Sequence, residues 1–500
     1  MILSCALVGL LPSVLSLTAT LILVAAIAVT LLLALLRRSL SPIAATLRGP
    51  RIGGAQRAAT TGPAAAEGGE LRLARALFYA GALLVGEAAF RPAAGLTISE
   101  MCFLASLTTC GFSALRGRGV ARLPTSLLLS AGVFAVGGLI SSIGAQDPTS
   151  SAVAVAHGIY VMVLWFWTGA MVLRTRQHVM LALSLWGLSI AADGAAALAQ
   201  VFGVHTLAGP LEGNRSTGFT QHPNDLGGAA GIALVPAILV ATRSAVSDSR
   251  TLSVMRWIPA GLISTGLALS GSVGGMAGAV AAVTVWLTLT TVPRAARIAI
   301  VGALGAAALV FAVAGGRVAS PQQRLESVIG GNGGQAVQSS PQVRISVAEA
   351  VWPRILADPF IGDGLDTFGT GVTIINGGKS LFYPVHNAPL AALYEAGILG
   401  LIGAVANIVA LVASGWRSVS SSTNEDDLLV SWALIAAAMS FLVYASTAPL
   451  DFQQYGWFAL IMMVVWRLRR DGPLESPPAR TMPDGQRMRQ PLPPGGVLVG

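Results

Sequence analysis

The chain has 500 residues, of which 54% are hydrophobic and only 11% are charged, and its mean hydropathy is +0.71. About a quarter of the residues of a soluble globular protein are charged, and a disordered chain has low hydrophobicity, so both classes are excluded. Long uncharged runs recur along the whole chain, whereas a transmembrane barrel needs short alternating segments. The composition therefore predicts an all-α, polytopic membrane protein.

Apolar runs near the length that crosses a bilayer as a helix, about 20 residues, predict the spanning segments. The prediction is about 12–14 helices, because the first two runs and the pair within 257–292 are the weakest. In chain order the predicted helices lie near residues 2–17, 18–36, 73–90, 95–115, 123–144, 151–173, 179–202, 224–242, 257–270, 273–292, 298–314, 389–414, 429–448 and 453–466.

These helices divide the chain into four parts. Residues 1–314 form an N-terminal transmembrane bundle, interrupted by a flexible, basic cytoplasmic linker at about 37–72. Residues 315–388 form one large extracytoplasmic loop that carries short surface helices, and such a long loop is usually functional or disordered. Residues 389–466 form the C-terminal transmembrane helices, and 467–500 are a disordered, basic, Pro-rich cytoplasmic tail.

The charge pattern predicts the orientation of the chain. The formal net charge is +9, from 31 basic and 22 acidic residues. If both termini are cytoplasmic, 24 of the 31 basic residues fall on the cytoplasmic side, as the positive-inside rule requires. The basic balance then reflects cytoplasmic loops and does not indicate nucleic acid. The remaining basic residues face outward, and they are Arg91, Arg215, Arg317, Arg324, Arg344, Arg354 and Lys379.

The second half of the outer loop has helical periodicity. Between residues 343 and 356, Ile345, Ala348, Trp352 and Ile355 recur at helical spacing, which suits a short helix lying at the membrane surface. Pro353 is expected to end or bend this helix.

The first candidate site is the outer segment 213–227, which leads into a predicted span. Asn224 or Asp225 can cap that helix and leave its N–H groups and its positive end facing outward. A helix N-terminus beside Arg215 is an anion site well suited to phosphate. The alternative is an ordinary capped helix with a solvated arginine.

The second candidate site is the segment 383–390, where His386 stands at the outer mouth of the next span. An imidazole can accept a hydroxyl proton near neutral pH, so His386 is a candidate general base. The alternative is a histidine at the level of the lipid headgroups.

Three carboxylates, Glu87, Glu100 and Asp193, fall within predicted spans, where charged groups are costly and often functional. They either line a water-filled path, as a transporter needs, or form hydrogen bonds with neighbouring helices. We expect hydrogen bonds for Glu100, and for Asp193 both interpretations stay open. No group of residues has metal-ligand spacing and no nucleotide-binding motif is present, so neither metal nor cofactor is expected.

Taken together and in order, these segments resemble the family of O-antigen ligases and exopolysaccharide polymerases, which are bacterial integral membrane glycosyltransferases. The resemblance covers about residues 210–400, and Val273 stands where many members carry an arginine. The matching residues are Arg215, Gly218, Pro223-Asn224-Asp225-Leu226-Gly227, Arg344, Trp352, Asp358-Pro359-Phe360-Ile361-Gly362-Asp363-Gly364, His386-Asn387 and Glu395-Ala396-Gly397.

The resemblance implies transfer of a glycan from an undecaprenyl-diphosphate carrier to an acceptor hydroxyl at the outer face of the bacterial cytoplasmic membrane. Such an enzyme is a cell-surface polysaccharide polymerase or ligase, and its partners are the lipid-linked donor, a glycan or glycolipid acceptor and the bilayer. His386 and Arg215 would be catalytic, with Arg215, Arg344 and Asn224 binding the donor diphosphate. Asn387, Trp352 and Arg354 would position the acceptor or the loop.

Two alternatives remain at the level of sequence. A transporter or flippase for a lipid-linked glycan or an anion is favoured by the number of spans and by Asp193, and disfavoured because no internal repeat is visible. The departure at Val273 leaves open a catalytically inactive relative.

Overall fold

The structure is a computed structural model, and it describes residues 69–87, 96–117, 120–204, 211, 214–243, 255–290, 297, 298, 300, 302, 341–365, 372–376, 379–422, 424–448 and 454–469. The predicted helices 2–17 and 18–36 lie outside the described residues, as do nearly all of helix 298–314, residues 315–340 of the outer loop, and most of the linker and tail.

The described part of the chain consists of helices and one small β-hairpin, so the predicted all-α, polytopic fold is confirmed. Seven of the described helices are long and apolar enough to cross a membrane, and three shorter apolar helices accompany them. The elements are α1 Gly69–Leu83, α2 Ile98–Leu115, α3 Thr125–Gly144, α4 Pro148–Val172, α5 Arg176–Val201, α6 Pro223–Arg243, α7 Ile258–Ser270, α8 Val273–Leu289, α9 Pro341–Ala357, β1 Val372–Asn376, β2 Lys379–Tyr383, α10 Ala388–Ser420, α11 Glu425–Ala445 and α12 Gln454–Leu468.

Local side chains set the ends of several helices. At the start of α2, Thr97 and Glu100 form a reciprocal capping box, in which each side chain accepts from the other residue's backbone N–H. Between α7 and α8, Gly271 adopts a left-handed conformation with φ 55°, and the Ser272 side chain accepts from the N–H of Gly275. This two-residue turn separates α7 from α8, so the predicted pair within 257–292 is two helices.

Glycines bring α6, α8 and α11 close together. A Cβ atom added at Gly231 would lie 2.6 Å from the carbonyl oxygen of Gly275, and one at Gly278 would lie 2.8 Å from that of Ser440. Small residues allow such close approach of membrane helices. The packing gathers the first turn of α6, the α7–α8 turn and the last turn of α11 at one end of the bundle, which we call the site end.

The outer-loop helix α9 packs on α10 through an apolar face that the sequence analysis did not identify. Val347, Val351 and Ile355 are buried in a cluster with Tyr383, Val385, Ala391 and Tyr394. Ile345 and Trp352 are 57% and 50% exposed, so of the predicted apolar face only Ile355 is in the core. Pro353 does not end the helix, because α9 continues to Ala357.

Helix α10 is interrupted at Gly397, where φ is 65° and ψ is −170°. The turn formed by residues 358–364 fits against this break, and the freed backbone groups pair with it. The N–H of Ile398 donates to the Pro359 carbonyl over 2.8 Å, and the N–H of Gly364 donates to the Glu395 carbonyl over 2.9 Å. Two motifs that are about 30 residues apart in the sequence therefore form a single structural unit.

This unit leads to a prediction for Gly397→Ala. A Cβ atom there would lie 2.6 Å from the carbonyl carbon of Phe360, and the backbone conformation is strained for any residue with a side chain. We expect the free energy of unfolding to fall by about 2 kcal/mol or more, measured as a lower midpoint of thermal unfolding in detergent. Gly132→Ala is the matched control, because an added Cβ atom there meets nothing within 4 Å. Equal midpoints for the two variants would contradict the structural role of the break.

Candidate active site

The segment that carries Arg215 is held firmly against two helices. The Gln200 side-chain oxygen accepts from the N–H groups of Thr217 and Gly218, each over 3.0 Å. Asp193 Oδ1 accepts from the N–H of Phe219 over 3.0 Å. These bonds fix the segment on α5, so the position of Arg215 depends on the fold and not on a free loop.

Arg215 is buried, with 6% of its surface exposed, and its guanidinium has a defined orientation. Its Nε donates to the carbonyl oxygen of Ser270 over 2.7 Å, and its Nη2 donates to Asn224 Oδ1 over 2.6 Å. Both acceptors are neutral oxygen atoms, and together they orient the guanidinium plane. The site end therefore contains a fixed positive charge.

The N-terminus of α6 is capped by His222, and the expectation of a cap by Asn224 or Asp225 is wrong. The N–H of Asn224 donates to His222 Nδ1 over 3.1 Å. The N–H groups of Asp225 and Leu226 donate to the His222 carbonyl, and Pro223 has no N–H. The predicted outward-facing N–H groups are thus already bonded, and an anion at this end meets side chains instead.

His386 lies just before α10, and its ring has a defined proton position. Its Nδ1 is 2.8 Å from the carbonyl oxygen of Pro384. A carbonyl oxygen can only accept, so Nδ1 carries the proton and Nε2 of the neutral ring has a lone pair. Burial lowers the pKa of His386, and the charge of Arg344 lowers this pKa further, so the ring is neutral at neutral pH.

Electrostatic effects show that the candidate residues are neighbours. The pKa of His222 is lowered to about 4, first by burial and then by the charges of Arg215 and His386. Arg344 acts on His386 in the same way. Such effects act between groups a few ångströms to about ten ångströms apart. The structure therefore brings Arg215, His222, His386 and Arg344 together at the site end, although they come from three separate segments.

Arg344 reaches this cluster from α9. The side chain is half-buried, and burial lowers its pKa while Tyr444 raises this pKa. Among the residues that the structure describes, Arg344 has no hydrogen bond or ion pair. A partly desolvated cation without a counter-ion favours an anionic ligand.

The other predicted site residues hold the loop in place. Asn387 caps α10 by accepting from the N–H of Leu390 over 3.0 Å. Its Nδ2 donates to the Ser446 carbonyl over 3.3 Å, which joins α10 to α11. Arg354 donates to the Tyr394 hydroxyl over 2.9 Å, and its Nη1 lies 3.6 Å from Asp363. Trp352 lies on the exposed face of α9, and no described contact links it to the cluster.

The carboxylates within the spans have local partners. Glu100 is hydrogen-bonded to neighbouring groups, as expected, because it belongs to the capping box and its Oε1 lies 3.0 Å from His157 Nε2. Asp193 accepts from Phe219 through Oδ1, so it helps to hold the Arg215 segment.

A cavity of about 490 Å³ lies at the opposite end of the bundle. Its arginines and carboxylates pair with each other: Arg176 lies 2.6 Å from Asp427, and Arg243 lies 3.1 Å from Asp426. These charges therefore already have partners within the protein.

The fold and the site define a polytopic helical membrane protein with a cationic, histidine-containing site at one end. The family model described as O-antigen ligase matches residues 258–405, so the predicted resemblance to this family is confirmed over that range. The matched range contains Arg344 and His386, whereas Arg215 and His222 lie before it. A comparison with curated proteins gave no match. The match supports, at the level of the family, a membrane-bound glycan ligase or polymerase.

His222 lies within the predicted site segment 213–227, but no role was predicted for it. The sequence offers one signal for it, since a residue immediately before a proline that starts a helix occupies the N-cap position. Histidine is an uncommon cap, so residue preferences point to Asn224 instead.

Proposed function

We propose that the chain transfers a glycan from an undecaprenyl-diphosphate carrier to an acceptor hydroxyl, as a cell-surface polysaccharide polymerase or ligase. The observation that carries this proposal is that the fixed charge of Arg215 and the neutral ring of His386 both lie near His222 at the site end. The first group stabilises a departing anion and the second accepts a proton, and both are needed for this transfer.

The donor diphosphate is proposed to bind between Arg215 and Arg344. The leaving diphosphate gains negative charge as the bond to the sugar breaks, and preorganised guanidinium groups stabilise that charge. Arg344 would supply from α9 the second guanidinium that many relatives carry at the position of Val273. Asn224 contributes indirectly, because its side-chain oxygen holds Arg215 in place.

The acceptor hydroxyl is proposed to approach His386 Nε2. The lone pair at Nε2 takes the hydroxyl proton as the acceptor oxygen attacks the anomeric carbon. Asn387 joins α10 to α11, and Arg354 joins α9 to α10 and to the turn at 358–364. These two residues would therefore position the loop and, through it, the acceptor.

We place the site at the extracytoplasmic face of the membrane. The opposite end of the bundle carries a group of arginines, as the cytoplasmic side of a membrane protein does. This group consists of Arg174, Arg176, Arg243, Arg417 and Arg469.

The proposal is tested with the purified full chain in lipid nanodiscs, supplied with an undecaprenyl-diphosphate-linked glycan and an acceptor glycan. We expect a larger glycan and free undecaprenyl diphosphate in equal amounts, and empty nanodiscs should give neither. Growth to long chains would indicate a polymerase, and a single addition would indicate a ligase. A transporter or an inactive relative would leave the donor intact, and that result from folded protein contradicts the proposal.

A further inference from the structure

The two histidines at the site end have opposite proton positions. A backbone N–H can only donate, so the bond from Asn224 shows that His222 Nδ1 carries no proton. In a neutral imidazole the single proton is then on Nε2. In His386 the proton is on Nδ1, because its partner is a carbonyl oxygen. One ring therefore offers a hydrogen-bond donor at Nε2, and the other offers an acceptor there.

His222 also extends the positive end of α6. The N–H groups of the first turn of this helix bond to His222, one to its ring and two to its carbonyl oxygen. The helix dipole and the bond at Nδ1 both polarise the ring and make its Nε2–H a stronger donor. A second proton would place a positive charge beside Arg215 and at the positive end of the helix, so the fold keeps this ring neutral.

We infer that His222 is a further catalytic residue, which donates a hydrogen bond from Nε2 to the departing diphosphate. This inference rests on the proposed function. The bond between the anomeric carbon and the phosphate oxygen breaks, and its electron pair goes to that oxygen. The acceptor oxygen forms the new bond to the anomeric carbon, and its proton goes to His386 Nε2. His222 keeps its own proton and stabilises the new negative charge together with Arg215.

Two substitutions separate this role from that of a helix cap. His222→Ser keeps a side-chain oxygen that accepts a hydrogen bond from the first turn of α6. The serine side chain is too short to place a hydrogen-bond donor at the position of Nε2. His222→Gln places an amide N–H near the position of Nε2, but it is a poor cap. We expect kcat of the serine variant to fall about 100-fold with an unchanged melting temperature. We expect the glutamine variant to melt at a lower temperature and to be clearly more active than the serine variant.

If His222 is only a helix cap, the order of activities is reversed, and the serine variant is more active than the glutamine variant because serine preserves the cap. The inference is overturned if the serine variant has the wild-type rate, or if the glutamine variant is no more active than the serine variant.

Nitrogen-15 NMR of the histidine-labelled full chain provides a test that does not depend on turnover. The wild-type signals that disappear in the His222→Gln variant belong to His222. They should show a protonated Nε2 and an unprotonated Nδ1. Failure of the proposed function would leave this tautomer unchanged, whereas the reverse tautomer would overturn the inference alone.

Discussion

Arg215→Gln is expected to lower kcat/KM for the lipid-linked donor by about 1,000-fold, because it removes a charge aimed at the developing diphosphate anion. Glutamine has a similar length and still offers an amide donor to the Ser270 carbonyl. The substitution therefore tests the charge more than the packing. Arg215→Lys should recover only a small part of the rate, since an ammonium group cannot donate to Ser270 and Asn224 in the same fixed plane.

The measurement is product formation by purified protein at several donor concentrations. Arg417→Ala is the matched control, because it removes the same charge at an exposed position at the other end of the bundle. Each variant is first compared with the wild type by size-exclusion chromatography and thermal unfolding. Near-normal transfer by folded Arg215→Gln would exclude the proposed role of this guanidinium.

His386→Ala is expected to lower kcat by about 100-fold to 10,000-fold, which is the range for loss of a positioned general base. The pH profile gives a sharper test. The base must be unprotonated, and the pKa of His386 lies below its ordinary value, so activity should be constant above about pH 6.5. Activity should decline only at lower pH, as Nε2 takes up a proton.

The charge of Arg344 is one cause of this low pKa, after burial, and its removal should raise the pKa of His386. In Arg344→Ala the acid limb of the kcat/KM profile should therefore move to higher pH. Arg354→Ala is the control from the same helix, and it should leave the limb in place because Arg354 is bonded to Tyr394 and Asp363. An acid limb that does not respond to Arg344→Ala would argue against His386 as the titrating base.

The helical fold could be predicted because each span is an apolar run whose length matches the bilayer, and this property belongs to each segment alone. Predicted ends differ from the observed ones where local chemistry decides. Helix α1 begins at Gly69 and ends at Leu83, whereas the hydropathy pattern placed it near 73–90. The face by which α9 packs on α10 could not be predicted from the sequence, because Val351 and Trp352 are both apolar and only their packing partners distinguish them.

For the site, the sequence by itself determined which residue types are present and in what order, and with them the resemblance to the O-antigen ligase family. Arg215, Arg344 and His386 could be selected in this way, since few basic side chains fall in the predicted outer loops. Only the tertiary structure decided that His222 caps α6, that Asn224 holds Arg215, and that the turn at 358–364 enters the break at Gly397. The physical reason is that hydrogen bonds between distant segments depend on distance and direction, and helix packing sets both.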